Sequence, residues 1–444
     1  MLNKNEQYIL EISGMGAEGE GVGRIEGFAV FVPFALLGEK ILVKIVKVQK
    51  NYAFGKIVEI ITPSPSRISP SCKHFYKCGG CSFQHCDYNF ELEYKKNKVS
   101  EALKRIGGIE AEVSPIIPAE NTVGYRNKSQ FPVNTDGIGF YANRSHRLVP
   151  VESCEIQHTS THGIIKAISE YMKKYSILPY DEASHTGDIR HVFTRVSKHS
   201  GEIMVGIVTR TKRLANVDEL VRILRDSNEN IVSIIQSINS EKTNVALGEK
   251  EVLLWGKDYI TDKIGDLSFE ISLKSFYQIN PQQTKKLYDE VVKLINFTGD
   301  ETLFDLYCGI GTISLYVAKY VKKVIGVEIV EKAVENAIKN AKINGIENAQ
   351  FVVGAAEDVA KSLGTADIVI VDPPRKGCDE KLLKTIVDIA PESIVYVSCN
   401  PSTLARDLKF LTSNKYYVKK VVPIDMFPRT PHVECVVLMS RVDK

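Results

Sequence analysis

Short apolar runs alternate regularly with amphipathic stretches over the C-terminal part of the chain, from about residue 289. Runs such as KVIGVEIV and SIVYVSCN are rich in β-branched residues and predict buried strands, whereas EKAVENAIKNAKING and EKLLKTIVDIA predict helices. This alternation indicates a doubly wound, mostly parallel sheet with helices on both faces. We therefore predict an α/β domain over residues 275–444, with ligands bound beyond the carboxyl ends of its strands.

Residues 8–61 have a different pattern, in which short apolar runs are separated by glycines. Val43 and Ile45 alternate with Lys44 and Lys47, as in a half-buried strand. About five short strands fit a small barrel of the OB type, a fold that binds nucleic acids in many proteins and is a general adaptor in others. A stretch rich in Pro and Ser, TPSPSRISPS, predicts a linker after this domain, which we place at residues 1–62.

Between the linker and the C-terminal domain the pattern is mixed. A charged helix is predicted from Asp87 to the glycines at 107 and 108. Runs such as HVFTRVS, GEIMVGIVT and IVSIIQSIN predict strands, without indicating their order in a sheet. We assign residues 72–270 to a central domain of mixed α+β structure.

Composition and charge are those of an ordinary globular protein. The 444 residues are 44% hydrophobic and 25% charged, and the net charge of +3 neither requires nor excludes a nucleic acid partner. The N-terminus is polar and no apolar run approaches the ~18 residues that suggest a membrane span, so we expect a cytoplasmic protein with no membrane partner. The nine cysteines are an odd number, which argues against a disulfide framework and for metal ligation or catalysis.

Four polar or reactive residues follow predicted parallel strands: Cys308, Glu328, Asp372 and Cys399. The glycines of DLYCGIGTIS let a ligand approach the backbone beside a helix start. Glu328 ends the next strand, where a carboxylate accepts hydrogen bonds from ribose hydroxyls. This combination suits S-adenosylmethionine, and Ser314 stands where a dinucleotide fingerprint needs glycine, which disfavours NAD. A tight packing turn with an exposed Glu is the alternative interpretation.

The DPPRKG stretch follows a buried strand, and its two prolines make the loop rigid. Amino-group methyltransferases have a similar loop with an aromatic residue at the fourth position. Here that position is Arg375, which argues against N-methylation of adenine. Asp372 is then free to contact a cofactor or a base edge.

Cys399 lies where an apolar strand ends and the chain turns through Asn400 and Pro401 into a helix. An inert buried thiol is the alternative to a nucleophile at this position. C5 of uracil is too weak a nucleophile to accept a methyl group from a sulfonium. A thiolate that adds to C6 activates C5, and a second base must then remove the C5 proton.

SCNPSTLARDL and DMFPRTPHVECVVLM resemble the two signatures of the RNA uracil C5-methyltransferase family. DLYCGIGTISL, DPPRKG and SFYQINPQQTKKLY are similar to that family too, so the resemblance covers nearly the whole chain. It implies a Rossmann-like S-adenosylmethionine methyltransferase domain and an N-terminal TRAM domain of the OB type.

The resemblance also implies roles for individual residues. It makes Cys399 the nucleophile and Glu434 the base that removes the C5 proton. It places four residues around S-adenosylmethionine: Gln278, Tyr307, Glu328 and Asp372. We interpret the remaining thiols of the C-terminal domain as packing groups: Cys308, Cys378 and Cys435.

Cys72, Cys78 and Cys81 have the spacing C-x5-C-x2-C, and Cys154 lies further along the chain. Four thiolates hold either a [4Fe–4S] cluster or a zinc ion, and the spacing does not choose between them. The ribosomal RNA branch of the family has a similar pattern with a [4Fe–4S] cluster, which favours iron–sulfur over zinc. Further candidate ligands are Cys86, His74 and His85.

Two stretches mix aromatic with basic residues, GYRNKSQFPV and GFYANRSHRLV. This mixture suits single-stranded RNA, with stacked bases and neutralised phosphates, and a target uridine that is unpaired or flipped into a pocket. Strand faces are the alternative. We select Arg126 and Lys128 as candidate RNA-binding residues.

We therefore expect a monomeric, S-adenosylmethionine-dependent enzyme that methylates C5 of a uridine in 23S ribosomal RNA through a covalent Cys–C6 adduct. The barrel and the cysteines favour this substrate over the tRNA T-loop uridine, the closest alternative. An N-methyltransferase that uses DPPR without Cys399 is a second alternative. A non-catalytic iron–sulfur RNA-binding protein is the third.

Overall fold

The computed structural model describes residues 2–442. Five strands in the order β1-β2-β3-β5-β4 form a closed barrel at the N-terminus. Val43 and Ile45 point into the barrel and are fully buried. Gly23 is required because a Cβ there would lie 2.3 Å from the Glu11 carbonyl oxygen. The five-stranded barrel confirms the prediction. Its strands are β1 Gln7–Met15, β2 Gly21–Ile25, β3 Phe28–Val32, β4 Lys40–Val48 and β5 Tyr52–Thr62.

The predicted charged helix is α1, Tyr88–Ala102, and it continues as a π-helical turn over Leu103–Gly107. The Asp87 side chain caps it by accepting from the Phe90 N–H at 2.9 Å. Gly108 ends it with a φ of 65°, a left-handed conformation that favours glycine.

The central domain is a mixed seven-stranded sheet in the order β12-β11-β10-β9-β6-β7-β8. Helices α2 and α3 pack on one face through Ile164, Ile168 and Leu220. This confirms the expected α+β structure. The elements are β6 Lys128–Asn134, β7 Gly137–Tyr141, β8 Leu148–Pro150, α2 Ser160–Lys174, β9 Ile189–Val196, β10 Ile203–Thr209, α3 Val217–Ser227, β11 Ile231–Ile238 and β12 Lys250–Gly256.

The chain then forms a hairpin and the predicted α/β domain. The elements are β13 Tyr259–Ile264, β14 Leu267–Ser272, α4 Pro281–Leu294, β15 Thr302–Asp305, α5 Thr312–Val317, β16 Lys323–Glu328, α6 Glu331–Ile343, β17 Ala349–Val353, α7 Ala356–Val359, β18 Ile368–Val371, α8 Glu380–Ile389, β19 Ser393–Ser398, α9 Pro401–Thr412, β20 Tyr416–Ile424 and β21 Glu434–Arg441.

The second seven-stranded sheet has the order β17-β16-β15-β18-β19-β21-β20. The strands from β17 to β19 are parallel, and β21 and β20 are antiparallel additions. Leu303 and Phe304 face opposite sides of β15 and belong to separate apolar clusters. Both faces of the sheet are therefore covered, which confirms the doubly wound fold. The strand order reverses between β15 and β18, the place where such sheets bind ligands.

Parts of the predicted central domain pack against this second sheet. Val99 of α1 shares an apolar cluster with Leu404 of α9. Bridges join Val113 to Val421 and Ile117 to Ile424. The predicted boundary near residue 270 therefore separates two segments that pack against each other. Within residues 2–442 no helix combines the length and the apolar character that crossing a bilayer requires.

Candidate active site

Cys399 occupies a tight turn between β19 and α9. The Asn400 side chain caps α9 by accepting from the Ser402 N–H at 3.1 Å, and Pro401 opens the helix at a position where no N–H is needed. The Ser398 hydroxyl accepts from the Asn400 N–H at 3.1 Å. Cys399 is half-buried, so it is held at the carboxyl edge of the sheet rather than inside its core.

Glu434 is the neighbour of this turn on the adjacent strand. Ser398 and Cys435 form the last pair of the antiparallel ladder, and Cys399 and Glu434 occupy the positions directly beyond that pair, Cys399 in the turn and Glu434 at the start of β21. Directly opposite residues of such a ladder present their side chains on the same face. Glu434 is 2% exposed, and no donor among residues 2–442 bonds to its carboxyl. Cys435 faces the other way, into the apolar cluster of the opposite sheet face.

The DPPRKG loop is fastened to the same turn. The Arg375 carbonyl accepts from the Asn400 amide at 3.0 Å and from the Thr403 hydroxyl at 3.2 Å. The buried Asp407 of α9 accepts from the Cys378 N–H at 2.8 Å. These contacts fix Asp372, which directly follows β18, relative to the Cys399 turn.

Negative charge and burial oppose ionisation at this site. Burial, and then the carboxylates of Glu434 and Asp372, raise the pKa of the Cys399 thiol to about 11. Burial and Asp372 also raise the pKa of Glu434 well above its usual range. Burial and Asp305 raise the pKa of Asp372 to about 7. The Arg375 guanidinium acts in the opposite direction on both Cys399 and Glu434.

A second group of residues surrounds the glycine loop after β15. Glu328 accepts from the Gly309 N–H at 3.2 Å through one oxygen and from the Val330 N–H at 2.9 Å through the other. Its carboxylate is thereby oriented and keeps free lone pairs. Gly311 has a φ of 83°, and a Cβ there would lie 3.0 Å from the Phe351 ring. The loop can therefore approach a ligand closely.

Gln278 and Tyr307 are the other two residues that the resemblance assigns to the cofactor. Gln278 is buried before α4, and its carbonyl accepts from the Asn127 amide at 3.0 Å. Tyr307 is half-buried two residues after β15. Cys308 and Cys378 are each 4% exposed, which confirms their interpretation as packing groups.

Four cysteines, Cys72, Cys78, Cys81 and Cys154, line one cavity of about 180 Å³ together with His74 and Arg126. Burial raises the pKa of Cys81 to about 12 and that of Cys154 to about 11. Among residues 2–442 no three His, Cys, Asp or Glu side chains converge closely enough to hold a single metal ion.

The other candidate ligands lie apart from this cavity. Cys86 is fully buried in an apolar cluster with Leu36, Phe83 and Tyr94. His85 is fully buried, and its ring lies 5.3 Å from the Phe75 ring. Neither residue lines the cysteine cavity.

Sequence comparison agrees with this geometry. The pattern described as tRNA (Uracil-5-)-methyltransferase matches residues 87–367 and 362–442, and the TRAM domain pattern matches residues 4–58. The chain belongs to the tRNA (uracil-5-)-methyltransferase family. Its N-terminal barrel is a TRAM domain, and the family resemblance of the sequence is confirmed.

Relatives of this methyltransferase family cover the whole chain. An uncharacterized RNA methyltransferase of Clostridium tetani is 47% identical over 99% of this chain and 97% of its own length. One of Halalkalibacterium halodurans is 46% identical over 99% and 98%. The crystal structure of Pyrococcus abyssi tRNA (uracil-54, C5)-methyltransferase in complex with S-adenosyl-L-homocysteine is 31% identical, covers 97% of this chain and 99% of its own, and superposes with a TM-score of 0.81.

A cleft of about 600 Å³ lies between the TRAM domain and the segment that precedes Glu434. Its lining includes Glu20 of the barrel, residues 76–82, Arg144, Arg147 and His432, two residues before Glu434. We call residues 72–86, which contain four of the cysteines, the cysteine segment. Arg126 lines both this cleft and the cysteine cavity. Four cationic side chains, Lys77, Arg126, Arg144 and Arg147, line the cleft, against the two carboxylates of Glu18 and Glu20.

The other predicted RNA-binding residues have different surroundings. Lys128 is half-buried on β6, and its ammonium lies 5.8 Å from the Phe193 ring centre. Burial and Arg195 lower its pKa to about 8. Tyr125 is 5% exposed and donates from its hydroxyl to the Pro428 carbonyl at 2.9 Å, so its ring does not offer a stacking surface.

Two groups of the site have no assignment from the sequence alone. Asp305 accepts from the Ser314 hydroxyl at 2.6 Å through one oxygen. Its other oxygen is buried without a partner among the described residues. Asp305 could have been identified from the sequence, because it is the acidic residue that ends the predicted TLFD strand. Arg375 departs from the usual aromatic position of its motif, and here it is the cation that faces Cys399 and Glu434.

Proposed function

We propose that this protein transfers a methyl group from S-adenosylmethionine to C5 of an RNA uridine through a covalent bond between Cys399 and C6. The observation that carries this proposal is the position of Cys399 and Glu434 directly beyond the last pair of the β19–β21 ladder, Ser398 with Cys435, where the Glu434 carboxylate raises the pKa of the Cys399 thiol. A nucleophile and a base on the same face of two adjacent strands can act on neighbouring carbons of one pyrimidine ring.

The residues at the edge of β15, β16 and β18 fit S-adenosylmethionine, which supplies the methyl group as a sulfonium. Glu328 is oriented by two backbone N–H groups and suits the ribose hydroxyls. The unpartnered, buried oxygen of Asp305 needs a donor that the described chain does not provide. We assign further contacts to Gln278, Tyr307 and Asp372. The ligand of the Pyrococcus abyssi structure, S-adenosyl-L-homocysteine, supports this assignment.

The chain's residues then divide the reaction into two parts. The Cys399 thiolate adds to C6, and the electron pair of the C5–C6 bond becomes available at C5 for the methyl group. Glu434 then removes the C5 proton, the C5–C6 double bond re-forms and the thiolate leaves. Because the pKa of Cys399 is raised, the thiolate is scarce in the free site, and Arg375 is the group that favours it.

We propose 23S ribosomal RNA as the substrate. The TRAM domain and the cysteine cavity favour it, since their combination is similar to the ribosomal branch of the family. The T-loop uridine of tRNA is the second candidate. It is favoured by the full-length similarity to an enzyme that acts on uracil-54 of tRNA.

We assign RNA binding to the cleft that leads to Glu434, with Arg126 as its central cation and Lys128 as a further candidate. The barrel offers an aromatic surface beside the cleft, in which Phe31 lies 5.6 Å from Tyr52 and 6.1 Å from Phe54 between ring centres. Arg144, which lines the cleft, lies 5.1 Å from the Phe54 ring centre. Aromatic rings beside cations suit unpaired bases and their phosphates.

We assign a [4Fe–4S] cluster to Cys72, Cys78, Cys81 and Cys154. The four thiols line one cavity and are the number of ligands that both a [4Fe–4S] cluster and a zinc ion take. The similarity of the cysteine spacing to the ribosomal RNA branch of the family favours the cluster. Such a cluster would tie the segment after the barrel to the strand region near Cys154. No step of the methyl transfer depends on it.

The test is a trapping experiment with 5-fluorouridine, whose C5 carries no removable proton. We expect a covalent protein–RNA adduct with S-adenosylmethionine and either a 23S rRNA fragment or a tRNA T-loop hairpin, with Cys399 identified by mass spectrometry. The preferred RNA identifies the substrate. Cys399→Ala is the control and must give no adduct.

Two results would contradict the proposal. Methylation of an exocyclic amine that survives in Cys399→Ala would indicate the N-methyltransferase. Failure to bind S-adenosylmethionine, together with normal RNA binding, would indicate the non-catalytic iron–sulfur protein.

A further inference from the structure

The nine residues before Glu434, residues 425–433, form a loop between β20 and β21 that we call the base loop. It has no regular secondary structure, yet six of its nine carbonyls accept a hydrogen bond from another part of the chain. The donors are Gln283 to Asp425 (3.1 Å), Asn280 to Met426 (3.2 Å), Lys95 to Phe427 (3.1 Å), Tyr125 to Pro428 (2.9 Å), Ser82 to Arg429 (2.8 Å) and Lys98 to Pro431 (2.8 Å).

Lys95 of α1 is the charged centre of these contacts. Its ammonium is fully buried and donates to Glu91 at 2.7 Å and to Asp425 at 2.6 Å. The second oxygen of Asp425 accepts from the Tyr88 hydroxyl at 2.6 Å. A buried ion pair gives little net stability because desolvation offsets the attraction, but loss of one partner is strongly destabilising because the other charge is left buried without compensation. The Lys95 pair therefore favours the arrangement in which Asp425, the first residue of the base loop, lies against α1.

The cysteine segment holds the middle of the base loop. The N–H groups of Ser82 and Phe83, directly after Cys81, donate to the Arg429 carbonyl at 2.8 and 3.2 Å. The Arg429 N–H donates to Glu91 at 2.7 Å. Arg429 has a φ of 67°, an uncommon conformation for a non-glycine residue. The surrounding contacts therefore hold a strained backbone in place.

We propose that Lys95 is a positioning residue for Glu434: α1 and the cysteine segment fix the base loop, and the base loop fixes the carboxyl that removes the C5 proton. This inference rests on the role of Glu434 in the proposed function. The Cys399 turn is fixed separately, by Asn400 and by the DPPRKG loop. Loosening the base loop therefore affects proton removal more than thiolate addition.

The test measures the two steps separately with natural uridine RNA. In Lys95→Met we expect the rate of adduct formation to stay within about threefold of wild type. Release of methylated RNA is expected to slow at least about tenfold, because Glu434 is no longer aligned with the C5 proton. The protein–RNA adduct accumulates and is visible on denaturing gels. Lys95→Arg, which keeps the charge, restores part of the release rate. Lys104→Met, on the exposed side of the following turn, behaves as wild type.

Tyr88→Phe serves if Lys95→Met fails to fold, because it keeps the buried ion pair and removes the hydrogen bond to Asp425 together with the one accepted from the Ala119 N–H. It is expected to slow release selectively, by a smaller factor. Release at the wild-type rate in a folded Lys95→Met, or an equal loss in both steps in Tyr88→Phe, overturns the inference. Failure of the proposed function is distinguishable, because wild type would then form no adduct with 5-fluorouridine RNA and no methylated product with natural RNA.

Discussion

Cys399 and Glu434 lie directly beyond the last pair of the β19–β21 ladder, which Ser398 forms with Cys435. The thiol belongs to a turn that starts a helix, and the carboxyl belongs to the first residue of a strand. The same register sends Cys435 into the apolar cluster on the other face. The register of the β19–β21 ladder therefore places Cys399 and Glu434 at the candidate site and directs Cys435 away from it.

Glu434→Gln separates the two halves of the proposed reaction. We expect the variant to form the Cys399 adduct and transfer one methyl group, because neither step needs this base. Release is expected to fall at least a hundredfold, since general base catalysis contributes about 10²–10⁴. The measurement is the fraction of RNA bound covalently on a denaturing gel after one turnover. Multiple turnovers at the wild-type rate would exclude Glu434 as the base.

Arg375→Gln tests the charge balance around the thiol. Arg375 lowers the pKa of Cys399, so its removal raises that pKa and reduces the thiolate at a given pH. Below the pKa, adduct formation rises about tenfold per pH unit, and the profile of the variant is displaced to higher pH. The rate is measured in single turnovers at saturating RNA between neutral and alkaline pH. Arg375→Lys keeps the charge and the wild-type profile, and an unshifted profile in Arg375→Gln contradicts the argument.

Glu328→Gln tests the cofactor edge. Its carboxylate is oriented by Gly309 and Val330, and charged hydrogen bonds to a ribose are lost in the amide. We expect affinity for S-adenosylmethionine to fall about tenfold or more, as measured by calorimetry. Glu331→Gln, an exposed neighbour at the start of α6, is the matched control. Equal affinities in both variants would remove Glu328 from the binding site.

Replacement of Cys81 by Ser tests the cysteine cavity. Wild-type protein purified without oxygen is expected to contain about four iron and four sulfide per chain, with visible charge-transfer absorbance. Cys81→Ser loses the absorbance and the iron, whereas Cys86→Ser keeps both because Cys86 packs among apolar side chains. Zinc without sulfide in the wild type would contradict the iron–sulfur assignment.

Local patterns were sufficient for much of the fold and site. The alternation of strands and helices after residue 289 predicts the doubly wound sheet, because each element's period is set by its own backbone geometry. Cys399, Glu328 and Asp372 were predictable as edge residues, since each directly follows or ends a strand, and in a parallel sheet those ends lie together. The glycines before Ile61 likewise predict a small barrel.

Tertiary structure alone decided the contacts between distant segments. Lys95 and Asp425 are far apart in sequence, and no local period indicates that a lysine in a charged helix becomes fully buried against that carboxylate. The exclusion of Cys86 from the cavity that Cys154 shares likewise depends on how separate domains pack. The sequence by itself determined the elements and the reactive residues at their ends, because these follow from local periodicity. Packing between distant elements determined which charges are buried, which thiols share a cavity and what holds the base loop in place.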